Sequence, residues 1–394
     1  MAREHAEALI YLDHHATTPV DPRVVEAMRP WWTTQAGNAA SISHRAGLRA
    51  RDAVEAARAK VAALVHCESE EVILTSGATE ANNLALKGLC GNSPTSHRLI
   101  SNVAEHRAVL DPLRRLKRMG AAVELLPVDA EARVDPELLR AALRTPTSLT
   151  SVMWANNEVG SLNDIPQLAQ KCRAADAVFH VDAAQAVGKV PIDLRSVPID
   201  LLSLSAHKLY GPQGIGALIV RRERRLPLTP LLDGGGHERG LRSGTLPVAL
   251  VVGFGAACAV ASEQLSEECR RLSRLRDRLW DGLAQAIPEL RRNSPANECL
   301  PHNLNVHIPH VDGDVLLMQL QASRLCVSSG SACTSANPEP SHVLRAMGLS
   351  DLQARASLRF GLGRTTTEQE IEATILIVAD LVRQIRSSGA GPRP

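Results

Sequence analysis

The chain has 394 residues, 44% apolar and 22% charged, with a formal net charge of +2. That length exceeds one minimal domain, and the composition is that of a folded globular protein, not of a disordered or fibrous one. The balanced charge offers no electrostatic footprint for nucleic acid, so no direct nucleic-acid partner is expected. Aromatic residues make up only 2%, which leaves the core to Ala, Val, Leu and Ile.

The opening residues 1–8 are polar and charged where a signal peptide needs an apolar segment, so a cytoplasmic location is expected. Leu48 to Val65 has helical periodicity, Val72 to Thr75 reads as a strand, and Thr79 to Gly88 as a helix. Arg98–Val103, Ala122–Val128, Leu149–Trp154 and Ala177–Val181 read as strands, separated by helix-length segments such as Ile165–Ala175. Short apolar strands alternating with crossover helices predict a mostly parallel sheet covered on both faces. Leu201–Ser205 and Ile215–Val220 are joined too closely for a parallel crossover and are predicted to pair antiparallel. The basic run Arg221, Arg222, Arg224 and Arg225, broken by Glu223, reads as a solvated turn.

The apolar stretch Leu246–Ala261 is shorter than a membrane span and contains Gly253 and Gly255, so a buried helix and no membrane association are expected. From Pro247 a long helix should run to about Ile287, where Pro288 ends it. Strands near Asn303–Ile308 and Ala356–Phe360 follow, with helices at Asp312–Gln321 and Thr367–Ile385. The fold class is α/β: a large domain over 16–261 with the mostly parallel sheet, and a smaller α+β domain from 1–15 and 262–394. The Gly/Pro-rich tail 387–394 is expected to be disordered. The eight cysteines are scattered with no C-x-x-C pair, which argues against a disulfide framework and a zinc ribbon; no metal is expected.

Chemistry concentrates at the carboxyl ends of these strands, where open α/β sheets bind ligands. Thr75-Ser76-Gly77-Ala78-Thr79-Glu80 joins a strand to a helix with small residues. Its free amides and the helix dipole suit a phosphate, although a plain capped turn would look the same. Asp182 closes a strand in Phe179-His180-Val181-Asp182, where it can hold a pyridine nitrogen protonated or simply cap the next turn. Lys208, in Ser205-Ala206-His207-Lys208 before Gly211-Pro212-Gln213-Gly214, suits a Schiff base to an aldehyde cofactor. Gly234 to Thr245 is a second Gly-dense loop that permits close backbone approach. Cys333 sits in Ser328–Ala336, a run of Ser, Gly, Ala and Thr that should be exposed and mobile, unlike the surroundings of the other seven cysteines.

Together these segments resemble the fold-type I pyridoxal-phosphate enzymes of the class V aminotransferase group, and among them the cysteine desulfurases of the NifS/IscS type. The resemblance runs from Tyr11-Leu12-Asp13-His14-His15-Ala16-Thr17-Thr18-Pro19-Val20 to Gly361-Leu362-Gly363-Arg364. Its most specific pieces are Ser76–Glu80, Asn156-Asn157-Glu158-Val159-Gly160, Ser205–Lys208, Arg242-Ser243-Gly244-Thr245 and Ser328–Ser335.

The resemblance implies pyridoxal 5'-phosphate bonded to Lys208, with Asp182 on the ring nitrogen and His106 stacked on the ring as a proton carrier. It places Asn157 and Gln185 at the ring hydroxyl. Ala78, Thr79, Ser205 and His207 would hold the phosphate, with Thr245 supplied by the second subunit of a homodimer. Arg359, with Asn157 beside it, would bind the carboxylate of L-cysteine. The sulfur would pass to Cys333 as a persulfide and then to an acceptor protein for iron–sulfur clusters or another thio-cofactor, leaving alanine. A selenocysteine lyase or another β-lyase on the same fold has no need of Cys333, and a non-enzymatic scaffold has no need of Lys208 or Asp182. The chain departs from the pattern at His14-His15, where the family often has Asn or Ser, and at Asn38-Ala39-Ala40. It also stops soon after its last helix, where housekeeping enzymes continue with a scaffold-docking segment.

Overall fold

The computed structural model describes residues 8–329 and 339–388. The chain opens with β1 (Ile10–Tyr11), α1 (Pro22–Thr33) and α2 (Arg45–Val65). An alternating run follows: β2 (Val72–Thr75), α3 (Ala78–Cys90), β3 (Arg98–Asn102), α4 (Arg107–Arg118), β4 (Ala122–Leu126) and α5 (Pro136–Ala142). It continues through β5 (Leu149–Met153), α6 (Ile165–Ala174), β6 (Val178–Asp182), β7 (Leu201–Ser205) and β8 (Gly216–Val220) to the long α7 (Val248–Ala286). The carboxyl-terminal part holds β9 (Arg291–Arg292), β10 (Asn303–His307), α8 (Gly313–Gln321), β11 (Leu325–Cys326) and β12 (Ser328–Ser329). It ends with α9 (His342–Ala346), α10 (Asp351–Arg355), β13 (Ser357–Gly361) and α11 (Glu368–Ser387). Ser387, expected in the tail, closes this last helix, and residues 389–394 lie outside the described ones.

Seven strands form the main sheet in the order β2-β8-β7-β6-β5-β3-β4. The neighbours from β4 to β7 are parallel, and β8 pairs antiparallel with both β7 and β2, as the short connection before it requires. β2, β5, β6 and β7 are buried along their whole length, because helices cover both faces. Several strands stop one or two residues earlier than their hydrophobic runs. Asn102 shows why: its Oδ1 accepts from Ala104 N at 3.0 Å and turns the backbone out of the ladder. β10 and β13 pair antiparallel in a smaller sheet with β9 and β12. In the basic run, Arg221 pairs with Glu71 and Glu223, and Arg224 with Asp176 and Asp200.

The 39-residue α7 is long and apolar enough to cross a membrane, but its apolar first half is a core element of this fold. Val251, Phe254, Ala257 and Cys258 join the cluster beneath the large sheet, with α2 packed alongside. Leu272, Leu275, Leu279 and Leu283 of the same helix join a second cluster with β10, β13 and α11. One rigid helix thus ties the two cores together. The contact with α2 depends on having no side chain at Gly255, where a Cβ would lie 2.6 Å from Ala57 Cα. Alanine normally stabilises a helix over glycine by about 1 kcal/mol. Here the overpacking cost of about 1–3 kcal/mol exceeds that gain, so Gly255→Ala is expected to lower the thermal unfolding midpoint by a few degrees. An unchanged or raised midpoint would show that α2 and α7 have slack.

Candidate active site

The carboxyl ends of the strands open onto a cavity of about 630 Å³ lined by Ser76 to Glu80, Asn82, His106, Asn157, Asp182, Gln185, Ser205, His207 and Lys208, among others. Its floor at one end is the β2–α3 turn. Gly77 takes φ +151° there, and a Cβ on Gly216 of β8 would lie 2.7 Å from Gly77 Cα. Only glycine permits this approach, which presents the unbonded amides of the first turn of α3, with Ala78 and Thr79, to the cavity. Glu80 braces the turn, accepting from Ser76 N at 2.7 Å and from Arg242 Nε at 3.0 Å. The loop carrying Arg242 is itself held by the buried ion pair of Arg58 with Glu238 at 2.8 Å. Thr245, on the same loop, is exposed and does not line this cavity.

Asp182 ends β6 at the rim of the cavity and caps the turn that follows. Oδ1 accepts from Ala184 N at 2.9 Å, a turn-capping bond, and Oδ2 accepts from Asn82 Nδ2 at 2.7 Å. Lys208 follows β7 in a single 3-10 turn. Its ammonium donates to the carbonyl of Ala16 at 2.8 Å and to that of His15. Burial, helped by the Arg359 charge, lowers the Lys208 pKa to about 8. His106 is the N-cap of α4: Nδ1 accepts from Ala108 N at 3.0 Å, which leaves Nε2 as the free ring nitrogen. Burial lowers its pKa, and burial likewise takes His207 down to about 4, so both rings are neutral near pH 7.

Arg359, on β13, is only 3% exposed and is no surface pair. Nη2 meets Asp13 Oδ1 at 2.8 Å, Nη1 donates to the carbonyl of Asn157 at 2.9 Å, and Nε is buried without a partner. It stands behind Asn157 and outside the cavity lining. Cys333 lies outside the described residues, but both limbs beside it are anchored to site elements. Ser328 pairs with Arg359 across the β12–β13 ladder. Beyond the gap, the Ser341 hydroxyl donates to the Glu158 carboxylate, and His342 Nε2 bonds the carbonyl of Glu105 at 2.9 Å. Among the seven described cysteines, burial pushes the thiols of Cys67 and Cys172 up to about 12 and those of Cys90 and Cys299 to about 11; Cys258 and Cys269 are also raised. Those thiols are held protonated and unreactive.

Three groups at the site were not picked out from the sequence. Asn82 lies one helical turn beyond Thr79, a spacing that carries it to the same face of α3. Glu105 precedes His106 and is fully buried. Its Oε1 accepts from Asn102 Nδ2 at 2.7 Å and Met153 N at 2.6 Å, while Oε2 has no partner. Burial, reinforced by the nearby Asp182 charge, raises the Glu105 carboxyl to about 8. His15, noted as a departure, is buried against Gln185, with Nδ1 3.1 Å from the amide Oε1. The cradle, the half-buried amine and the strand-end carboxylate all face one cavity, and this set fits pyridoxal phosphate: amides for its phosphate, Lys208 for its aldehyde and Asp182 for its ring nitrogen.

Comparison with known proteins agrees with this geometry. Residues 10–374 match the family profile Aminotransferase class-V. The chain is 49% identical over 378 residues to a cysteine desulfurase IscS of Anaeromyxobacter dehalogenans, covering 96% of this chain and 93% of that one. Among solved structures it superposes on a NifS-like protein with a TM-score of 0.88 at 34% identity, over 95% of this chain and 100% of the other. It superposes on SspA in complex with cysteine with a TM-score of 0.80 at 35% identity, over 89% of this chain and 98% of that one.

Between its ordinary 4.5 and about 8, folded Glu105 keeps a proton that the unfolded chain releases. Its contribution is therefore complete below pH 4.5 and lost as pH rises through 8. Glu105→Gln, which stays neutral, should unfold like the parent near pH 5 and be more stable by a few kcal/mol near pH 9. Parallel pH profiles for the two proteins would show that Glu105 ionises freely.

Proposed function

The chain belongs to the class V aminotransferase family and is a pyridoxal-phosphate-dependent cysteine desulfurase; we propose that Cys333 receives the sulfur and that Lys208, Asp182 and His106 are the working groups around the cofactor. The observation that carries this reading is the convergence of Lys208, Asp182 and the Gly77–Thr79 cradle on one cavity. When bound, pyridoxal phosphate supplies an aldehyde for amines and a ring that draws electrons from the substrate's carbons.

The residues do the rest. The first turn of α3, with Thr79, Ser205 and His207, binds the phosphate. Asp182 holds the ring nitrogen protonated and is itself fixed by Asn82. Lys208, lowered to about 8, gives up its proton easily and so has a free amine for bonding and for moving protons at the substrate's α-carbon. His106, tethered through Nδ1, offers Nε2 for a second proton transfer above the ring. The resemblance gives Arg359 the carboxylate of L-cysteine with Asn157 beside it, a role for which Nη1 would leave the Asn157 carbonyl while Asp13 keeps Nη2 in place. The Cys333 thiolate then attacks the substrate sulfur. The Cβ–S bond breaks, an S–S bond forms, and the three-carbon remainder leaves as alanine.

Thr245 is exposed and off its own chain's cavity, on a loop braced by Arg58–Glu238 and Arg242–Glu80. That placement supports a homodimer in which Thr245 completes the phosphate site of the partner subunit. The persulfide is passed to an acceptor protein in the cytoplasm for iron–sulfur cluster or other thio-cofactor synthesis.

Alanine and sulfide release from L-cysteine with excess dithiothreitol tests the reading. Cys333→Ala should keep the yellow colour of the bound cofactor and fall to background activity. Equal activity in parent and variant would remove Cys333 from the reaction. Lys208→Ala should lose both the colour and alanine formation, and a Lys208→Ala protein that keeps the parental spectrum would contradict the assignment of the amine.

A further inference from the structure

Gln185 lines the cavity, and a side-chain amide can present either a donor or an acceptor to whatever lies there. In this chain its orientation is fixed by a relay that starts at a group with no choice. The backbone N–H of Asn305 can only donate, and it donates to Ser294 Oγ at 2.7 Å. The Ser294 hydroxyl therefore points its proton elsewhere, to Asn303 Oδ1 at 2.7 Å. That sets Asn303 Nδ2 on the other side, donating to the carbonyl of Glu158 at 3.2 Å and to His15 Nε2 at 3.0 Å.

With Nε2 accepting, neutral His15 carries its proton on Nδ1 and donates it to Gln185 Oε1 at 3.1 Å. Gln185 Nε2 returns one N–H to the carbonyl of His15 at 3.0 Å, an obligate acceptor. One amide N–H is left for the cavity. The relay is dry: Asn303 is fully buried, His15 is 1% exposed and Ser294 4%. His15 is locked by stacking on His302, with ring centroids 4.3 Å apart, and Gly361 leaves it room, since a Cβ there would lie 2.8 Å from His15 Cδ2. A protonated His15 would set two donors against each other at Asn303, and burial accordingly drives its pKa well below the usual histidine value.

We propose that His15 is a positioning residue: through the relay Asn305–Ser294–Asn303–His15 it holds Gln185 as a hydrogen-bond donor toward the cofactor's ring oxygen, so that this oxygen is bound as the anion. This rests on the placement of that oxygen beside Gln185 in the reading above. His15 is therefore a built part of the site's support.

The test is the absorption spectrum of the purified holoenzyme, because an anionic ring oxygen favours the visible band and a protonated one the near-ultraviolet band. His15→Phe keeps the ring's bulk and stacking but removes both polar ends. It should lower the visible to near-ultraviolet ratio roughly tenfold, the worth of one hydrogen bond to a charged group. Ser294→Ala, which breaks the relay without touching Gln185 or the cavity, should shift the ratio the same way by a smaller factor, and it decides the matter if His15→Phe fails to fold. Gln185→Ala separates the two levels of the account. If Gln185→Ala moves the ratio but His15→Phe and Ser294→Ala leave it at the parental value, the relay is overturned. If Gln185→Ala also leaves it unmoved, the placement of the ring oxygen is wrong.

Discussion

The strands from β4 through β7 run the same way, and β2, antiparallel to β8, is brought back into line with them. Their carboxyl ends therefore share one edge of the sheet, and the rest of the molecule depends on that constraint. β2 delivers the cradle, β3 delivers His106 four residues past its end, β5 delivers Asn157, β6 ends on Asp182, and the turn after β7 delivers Lys208. No single loop could bring these groups together. A sheet buried on both faces places them reproducibly, because a one-residue slip would exchange every side chain between two differently packed faces.

The edge is also where burial and polarity conflict. Isolated charges removed from water are costly, and the ionisable groups at this edge meet that cost in different ways. Asp182 is held by Asn82 and a backbone amide. Arg359 is neutralised by Asp13 and Arg58 by Glu238. Glu105 takes the other course and keeps its proton, which spares the site a second negative charge beside Asp182. His15, His106 and His207 are neutral for the same reason. The electrostatic setting that lowers the Lys208 ammonium is thus made by burial first and by the Arg359 charge second.

What could be read from the sequence follows the range of the interactions. Strands, crossover helices and the antiparallel β7–β8 pair were legible because they rest on local periodicity and on a connection too short for a crossover. That Asp182 and Lys208 line one cavity was legible because strand ends in such a sheet share one edge. His106 was assigned its role by resemblance, and the structure adds that the same residue caps α4 through Nδ1. The partners of Arg359 and His15 were not legible. Asp13 is 346 residues from Arg359, Gln185 is 170 from His15 and Asn303 is 288 from it, distances at which no spacing rule acts. The alternation Asn303-Leu304-Asn305-Val306-His307 suggests a half-exposed strand, yet β10 is buried on both sides and its polar face holds the relay. Glu105 stands beside His106, but only the packed structure shows that it is buried whole.

In the proposed reaction the shared edge directs the amine of Lys208, and of no other lysine, onto the cofactor. Lys189 is the natural competitor: it is buried nearby in sequence, but it is paired with Glu268 and lies over the Tyr210 ring. Borohydride reduction of the holoenzyme, followed by peptide mass spectrometry, decides between them directly. The reduced cofactor's mass is expected on the peptide containing Lys208 alone; the same mass on Lys189, or on no lysine at all, would overturn the assignment of the amine.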